Sequence, residues 1–205
     1  MEQILKYFPT LSPLQLSQFD LLQGLYEEWN AKINVISRAD LSNLYERHVL
    51  HSLALARAGL IADGHTVLDL GCGGGFPSIP LAILMPQVRF TAVDSVAKKI
   101  RVAQGVAQAL GLSNIEFAAC RAESLRGEWS WVVSRAVAPL SALLDWSAGR
   151  YSRGLLTLKG GDLEAEIEAS GVPVSVFEVS EWFAEEFFST KKVIFVDKNL
   201  QGHKK

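Results

Sequence analysis

The 205-residue chain has only two cysteines, Cys72 and Cys120, far apart and outside any CxxC pair. Their scarcity excludes a disulfide framework and a zinc knuckle and agrees with a reducing compartment. An excess of either charge is also missing: 20 Lys and Arg stand against 22 Asp and Glu, a formal net charge of -2. So balanced a chain has no global signature of a nucleic-acid partner, and any phosphate-binding surface has to be local. No uninterrupted apolar run approaches the roughly 20 residues that span a bilayer. The opening "MEQILKYFPTLSP" lacks a basic segment followed by an apolar one, so a cytoplasmic protein outside the membrane is expected. Internal repeats and low-complexity linkers are absent as well. What remains, 49% hydrophobic and 20% charged residues, is the composition of a compact fold.

Two patterns divide the chain. In residues 1–62, Ser12-Pro13 is a helix start, and Phe19, Leu22, Tyr26, Trp29 and Ile33 recur at spacings of three and four. Asp40 is placed to cap a second helix, along which Leu41, Tyr45, Val49, Leu53, Ala56 and Leu60 form one stripe. Such stripes need a partner, so this segment is read as a helical extension packed on a core formed by residues 63–205. From His65 onward, short β-rich runs alternate with helical segments, the pattern of βαβ units and a mostly parallel sheet. Strands are predicted at 66–70, 89–93, 115–119, 131–134 and 155–158. A late antiparallel hairpin is predicted from 172–179 and 192–196.

The stretch Val67 to Phe76, "VLDLGCGGGF", sets four glycines within five positions between a strand and a helix beginning near Pro77. One or two glycines suffice for a turn; four in this context indicate a backbone approached closely by a ligand. The third glycine of the dinucleotide fingerprint G-x-G-x-x-G is missing, its slot taken by Phe76, and no G-x-x-x-x-G-K-[ST] occurs. Instead Asp69 lies within the strand and Asp94 ends the next one, where a carboxylate can accept hydrogen bonds from ribose hydroxyls. These residues indicate a nucleoside cofactor without fixing its class.

The spacing Asp69, Gly71, Gly73, Gly75 resembles the first motif of Rossmann-like S-adenosylmethionine-dependent methyltransferases. The resemblance implies an α/β fold with a C-terminal antiparallel strand, a cofactor methionine tail on the Gly71–Gly75 backbone, and Asp94 on the ribose. It also implies Ala122 and Glu123 near the adenine, although Glu123 alone reads as a solvated loop acid. "WNAKINVISRADLSNLYERHVLHSLALA", "GGGFPSIPLAI", "VVSRAVAPL" and "LKGG" are similar, in order and spacing, to the glucose-inhibited division protein B family, from about Trp29 to Gly161. That family implies transfer of a methyl group to N7 of a guanosine in 16S ribosomal RNA, with the RNA or the small ribosomal subunit as partner; a monomer is expected. Where family members often read Arg-His-x-x-Asp-Ser, this chain has Arg47-His48-Val49-Leu50-His51-Ser52. His48 and His51 lack the third ligand and the Glu of H-E-x-x-H, so no metal is assigned.

Arg135, in Ser134-Arg135-Ala136 after the fourth strand, is the first candidate for a catalytic side chain: an arginine there can grip a phosphate or present donors to guanine O6. A salt bridge to a loop carboxylate is its bland alternative. Lys159, before Gly160-Gly161, is either a phosphate contact or a strand-end surface lysine. Arg38, Arg47 and His48, with Lys98, Lys99 and Arg101, could form a basic rim supplying sequence-independent RNA affinity. Trp29 and Tyr26 read as core; Phe76 is kept as a cofactor-site residue. Two competing readings stand: an NAD-dependent oxidoreductase, and a non-catalytic ribosome-assembly factor that keeps a nucleoside pocket.

Overall fold

The computed structural model describes residues 1–201, the side chains of Arg38 and Gln201 excepted. Seven strands form one sheet: β1 (Thr66–Leu70), β2 (Arg89–Asp94), β3 (Ile115–Ala119), β4 (Trp129–Arg135), β5 (Tyr151–Gly160), β6 (Ser175–Glu178) and β7 (Lys191–Asp197). Their spatial order is β3-β2-β1-β4-β5-β7-β6. Pairings among β1 to β5 are parallel, and β7 runs antiparallel to both of its neighbours. Alternate residues go to opposite faces, as the pleat requires. Val67, Val133, Leu156 and Val193 join one apolar cluster, while Leu68, Val132, Leu155 and Ile194 join another.

The first cluster is shared with the N-terminal helices. Helices α1 (Glu2–Tyr7) and α2 (Pro13–Lys32) place Ile4, Phe19, Leu22 and Tyr26 in it, all fully buried. Ser12 caps α2 through a reciprocal capping box with Gln15, and Pro13 sits at the first helical position. The same cluster takes Ile79, Leu81 and Ile83 of α5 (Ser78–Leu84) and Val102, Ala103 and Val106 of α6 (Ala97–Ala109). On the opposite cluster lie α7 (Leu140–Ser147) and α8 (Glu164–Ser170).

One expectation is corrected. The second N-terminal helix is not one rod capped by Asp40: Ser37 caps a short α3 (Arg38–Leu41), a π-type turn follows over Tyr45–Leu50, and α4 (His51–Arg57) completes the segment. The Ser37 hydroxyl accepts the Asp40 amide, and the Asp40 carboxylate instead takes the guanidinium of Arg47. The late antiparallel pair is present as expected, β6 against β7, and the chain between them folds into two short 3-10 turns, Val179–Glu181 and Glu186–Thr190.

Candidate active site

Strand order reverses at β1, which has β2 on one side and β4 on the other; an open sheet forms its ligand crevice at such a switch point, beyond the carboxyl ends of the strands. A cleft of about 650 Å³ lies there. The loop after β1 forms its floor. Gly71 has φ +74°, and a Cβ on it would meet the Val137 side chain at 2.5 Å. Gly73 has φ +56°, and a Cβ on it would meet nothing within 4 Å, because that side of the loop faces the open cleft. The loop is held from below. Tyr26, fully buried, donates its hydroxyl to the Gly74 carbonyl at 2.8 Å, and burial pushes its pKa well above the usual value.

Asp94 lines the cleft at the end of β2. Its Oδ2 accepts the Gly73 amide at 3.0 Å and its Oδ1 the Val96 amide at 2.8 Å, so one carboxylate fixes the loop relative to the second strand. Ala122 and Glu123 line the same end, together with Lys99.

The other end is built around Arg135. This half-buried side chain lays its guanidinium over the Phe76 ring, 5.1 Å from the centroid, and Phe76 stacks in turn on Tyr26 at 4.8 Å. Arg135 Nη1 donates to the Arg47 carbonyl at 3.3 Å, and Nη2 donates to His48 Nδ1 at 2.9 Å. Among the described residues no carboxylate lies within 4.0 Å of the guanidinium, so the bland salt-bridge alternative has no partner. Loss of hydration lowers the Arg135 pKa to about 10, which leaves it charged at neutral pH. His48 and His51 are each pushed down to about 3, by burial first and then by the Arg135 charge, and both are neutral there. Ala136, the next residue, holds φ +53°, a conformation that non-glycine residues adopt at a cost.

Gly71, Gly73, Phe76, Asp94, Ala122, Glu123, His48 and Arg135 thus share one cleft. His48, anticipated on an RNA-facing rim, is instead a wall residue bonded to Arg135. Asp69 and Gly75 lie behind the lining. Asp69 is fully buried and accepts both the hydroxyl and the amide of Ser78; burial, opposed by those bonds, raises its pKa to about 7. A Cβ on Gly75 would run into Ile79. Arg47 supplies its carbonyl to Arg135 and its guanidinium to Asp40, 2.9 Å away. Lys159 does not present a free cation: its ammonium meets Glu166 at 2.7 Å and donates to the Ala138 carbonyl, and only 10% of its side chain is exposed. The Arg38 side chain lies outside the described residues. Ser78 was not anticipated, Tyr26 was read as core only, and His51 was noted only as a departure from the family pattern. For Tyr26 a signal existed, since a tyrosine on a buried stripe needs a partner for its hydroxyl.

The profile of the GidB family, described as "rRNA small subunit methyltransferase G", matches residues 15–194. The chain belongs to this family. Ribosomal RNA small subunit methyltransferase G of Bacteroides thetaiotaomicron is 51% identical over 203 residues, covering 95% of this chain and 98% of the relative. The protein of that name from Flavobacterium psychrophilum is 48% identical over 204 residues, with 96% and 97% covered. Among solved structures, magnesium protoporphyrin IX methyltransferase from Synechocystis PCC 6803 with bound SAM superposes with a TM-score of 0.60 at 18% identity, covering 92% of this chain and 98% of that one. At that identity the likeness concerns the fold, which is that of the SAM-dependent methyltransferases.

Proposed function

We propose that this GidB-family member transfers the methyl group of S-adenosylmethionine to N7 of a guanosine in 16S ribosomal RNA. The observation that carries the reading is the family match over nearly the whole chain, joined to a cleft whose features suit the two reactants. The residues fit the cofactor. Gly73 leaves open the space a side chain would fill, the Asp94 carboxylate lies at the cleft wall where ribose hydroxyls can donate to it, and Glu123 lies beyond it.

When bound, S-adenosylmethionine supplies a methyl group made electrophilic by its sulfonium. Guanine N7 offers an in-plane lone pair and carries no proton in the neutral base, so no residue has to act as general base. The neutral His48 is engaged by Arg135 and Asp69 by Ser78; what the chain contributes is position. Arg135, pinned by the Arg47 carbonyl and His48 and lying over Phe76, presents a fixed fork of donors to guanine O6 or to a phosphate. Holding two reactants in line can supply effective molarities up to about 10⁵–10⁸ M.

The test is incubation with radiolabelled S-adenosylmethionine and small ribosomal subunits from a strain lacking the endogenous enzyme, followed by mapping of the labelled nucleoside. Label on a guanine N7 is the expected result. Cofactor binding without label would return the chain to a non-catalytic assembly role, and retention of NAD would overturn the cofactor assignment.

A further inference from the structure

The Arg135 end of the cleft is bordered by two further cations contributed by distant parts of the chain. Because β7 runs antiparallel, its first residue, Lys191, pairs with Gly160 at the end of β5 and comes to the carboxyl edge of the parallel strands, where the cleft opens. Lys191 lies against the ring of Phe187, its ammonium 4.7 Å from the centroid, and the Arg47 guanidinium lies 5.7 Å from the same centroid. His51, which lines the cleft, meets Phe187 edge-on at 5.5 Å. One half-buried aromatic ring therefore fixes two long, otherwise flexible cationic side chains beside the cleft. Gly160 leaves room for the lysine: a Cβ there would meet Lys191 Nζ at 3.2 Å.

The charge of this cluster is poorly compensated. Asp40 engages Nη1 of Arg47 at 2.9 Å, whereas no carboxylate among the described residues lies within 4.0 Å of the Lys191 ammonium or the Arg135 guanidinium. The neighbouring Lys192 is neutralised by Glu178 and Lys159 by Glu166, so Lys191 stands out on this edge. In a chain whose net charge is -2, a local cluster of this kind is what a polyanion would require.

We propose that Lys191 and Arg47, held by Phe187, grip a phosphodiester of the RNA strand flanking the nucleotide that enters the Arg135 end of the cleft. The identity of the polyanion rests on the methyltransferase reading above; the location of the grip rests on the ring contacts and the strand register. The segment Glu186–Lys191 is then part of the substrate-binding surface.

The test is the salt dependence of binding of purified small-subunit RNA to the full chain, to Lys191→Gln and to Lys191→Arg, with cofactor affinity measured in parallel. Loss of one phosphate contact should make the slope of log K against log salt shallower by about 0.7–0.9 in Lys191→Gln. Lys191→Arg should restore it, and cofactor affinity should be the same in all three proteins. A slope in Lys191→Gln equal to that of the parent overturns the grip while leaving the methyltransferase reading intact. Parallel loss of cofactor affinity would also overturn it, in favour of a purely structural lysine. Absence of RNA binding by the parent chain at every salt concentration would remove both proposals.

Discussion

At the scale of single residues, Arg135 and the open space beside Gly73 bear most of the proposed function. Arg135 is charged, without a carboxylate partner among the described residues, and oriented by an aromatic face, a carbonyl and a neutral imidazole. Truncation in Arg135→Ala is expected to lower kcat for methyl transfer by about 10²–10³, the range for removing one preorganised donor. Cofactor binding and the melting transition should persist; turnover equal to wild type would remove Arg135 from the reaction. Gly73→Val places a branched side chain into the open cleft, and an affinity loss of about 10–100-fold for S-adenosylmethionine is expected, equivalent to about 1–3 kcal/mol of steric conflict. Calorimetry on the folded variant measures it, and unchanged affinity would mean that the cofactor lies elsewhere. The histidines give a pH signature. His48 and His51 each titrate at about 3 when folded, against the ordinary 6.5, so the unfolded chain binds more protons between those values. Their contribution is fully present above pH 6.5 and is lost as pH falls toward 3, by about 1.4 kcal/mol per pH unit for each group. Asp69 acts in the opposite sense, because its raised value lets the folded chain hold an extra proton between about 3.8 and 7. In urea melts between pH 6 and 4.5, His48→Gln should flatten the loss of stability by about 1.4 kcal/mol per unit relative to wild type. Equal slopes in the two proteins would show that His48 is solvated and protonated normally.

At the scale of elements, the N-terminal helices hold the glycine loop through the Tyr26 hydroxyl. Tyr26 sits on the stripe of α2 that the spacing of apolar residues revealed, but periodicity reports which face is buried and not what a polar tip touches. Tyr26→Phe keeps the packing and leaves the Gly74 carbonyl without its donor. It should cost about 0.5–1.5 kcal/mol of stability and also weaken cofactor binding by freeing the loop. A drop in stability with cofactor affinity unchanged would confine Tyr26 to packing. The ends of α2 were legible because Ser12, Pro13 and Gln15 encode a cap locally. The break between α3 and α4 was not, because the stripe from Leu41 to Leu60 looks continuous while the competing contacts of Ser37, Asp40 and Arg47 lie across the turn. For the same reason His48 was assigned outward: its partner, Arg135, lies 87 residues away in sequence.

At the scale of the whole molecule, the parallel core was readable from alternating β-rich and helical runs, and the place of the cleft from the glycine loop and Asp94, since these signals are short-range. The strand order at the far edge was not readable, because no local pattern tells that β7 inserts between β5 and β6. The same long-range closure joins the beginning of the chain to its later part. Lys6 and Tyr7 both donate to the Glu185 carboxylate, and Tyr7 accepts the Ala184 amide. That insertion also sets a schedule. During synthesis β6 emerges before β7, the strand that must separate it from β5, so until residue 197 has left the ribosome β6 has no neighbour to pair with and the Lys191 edge of the cleft does not exist. The glycine loop, Asp94, Ala122 and Glu123 all precede Lys191 by more than sixty residues, so the two ends of the cleft are made at well separated times.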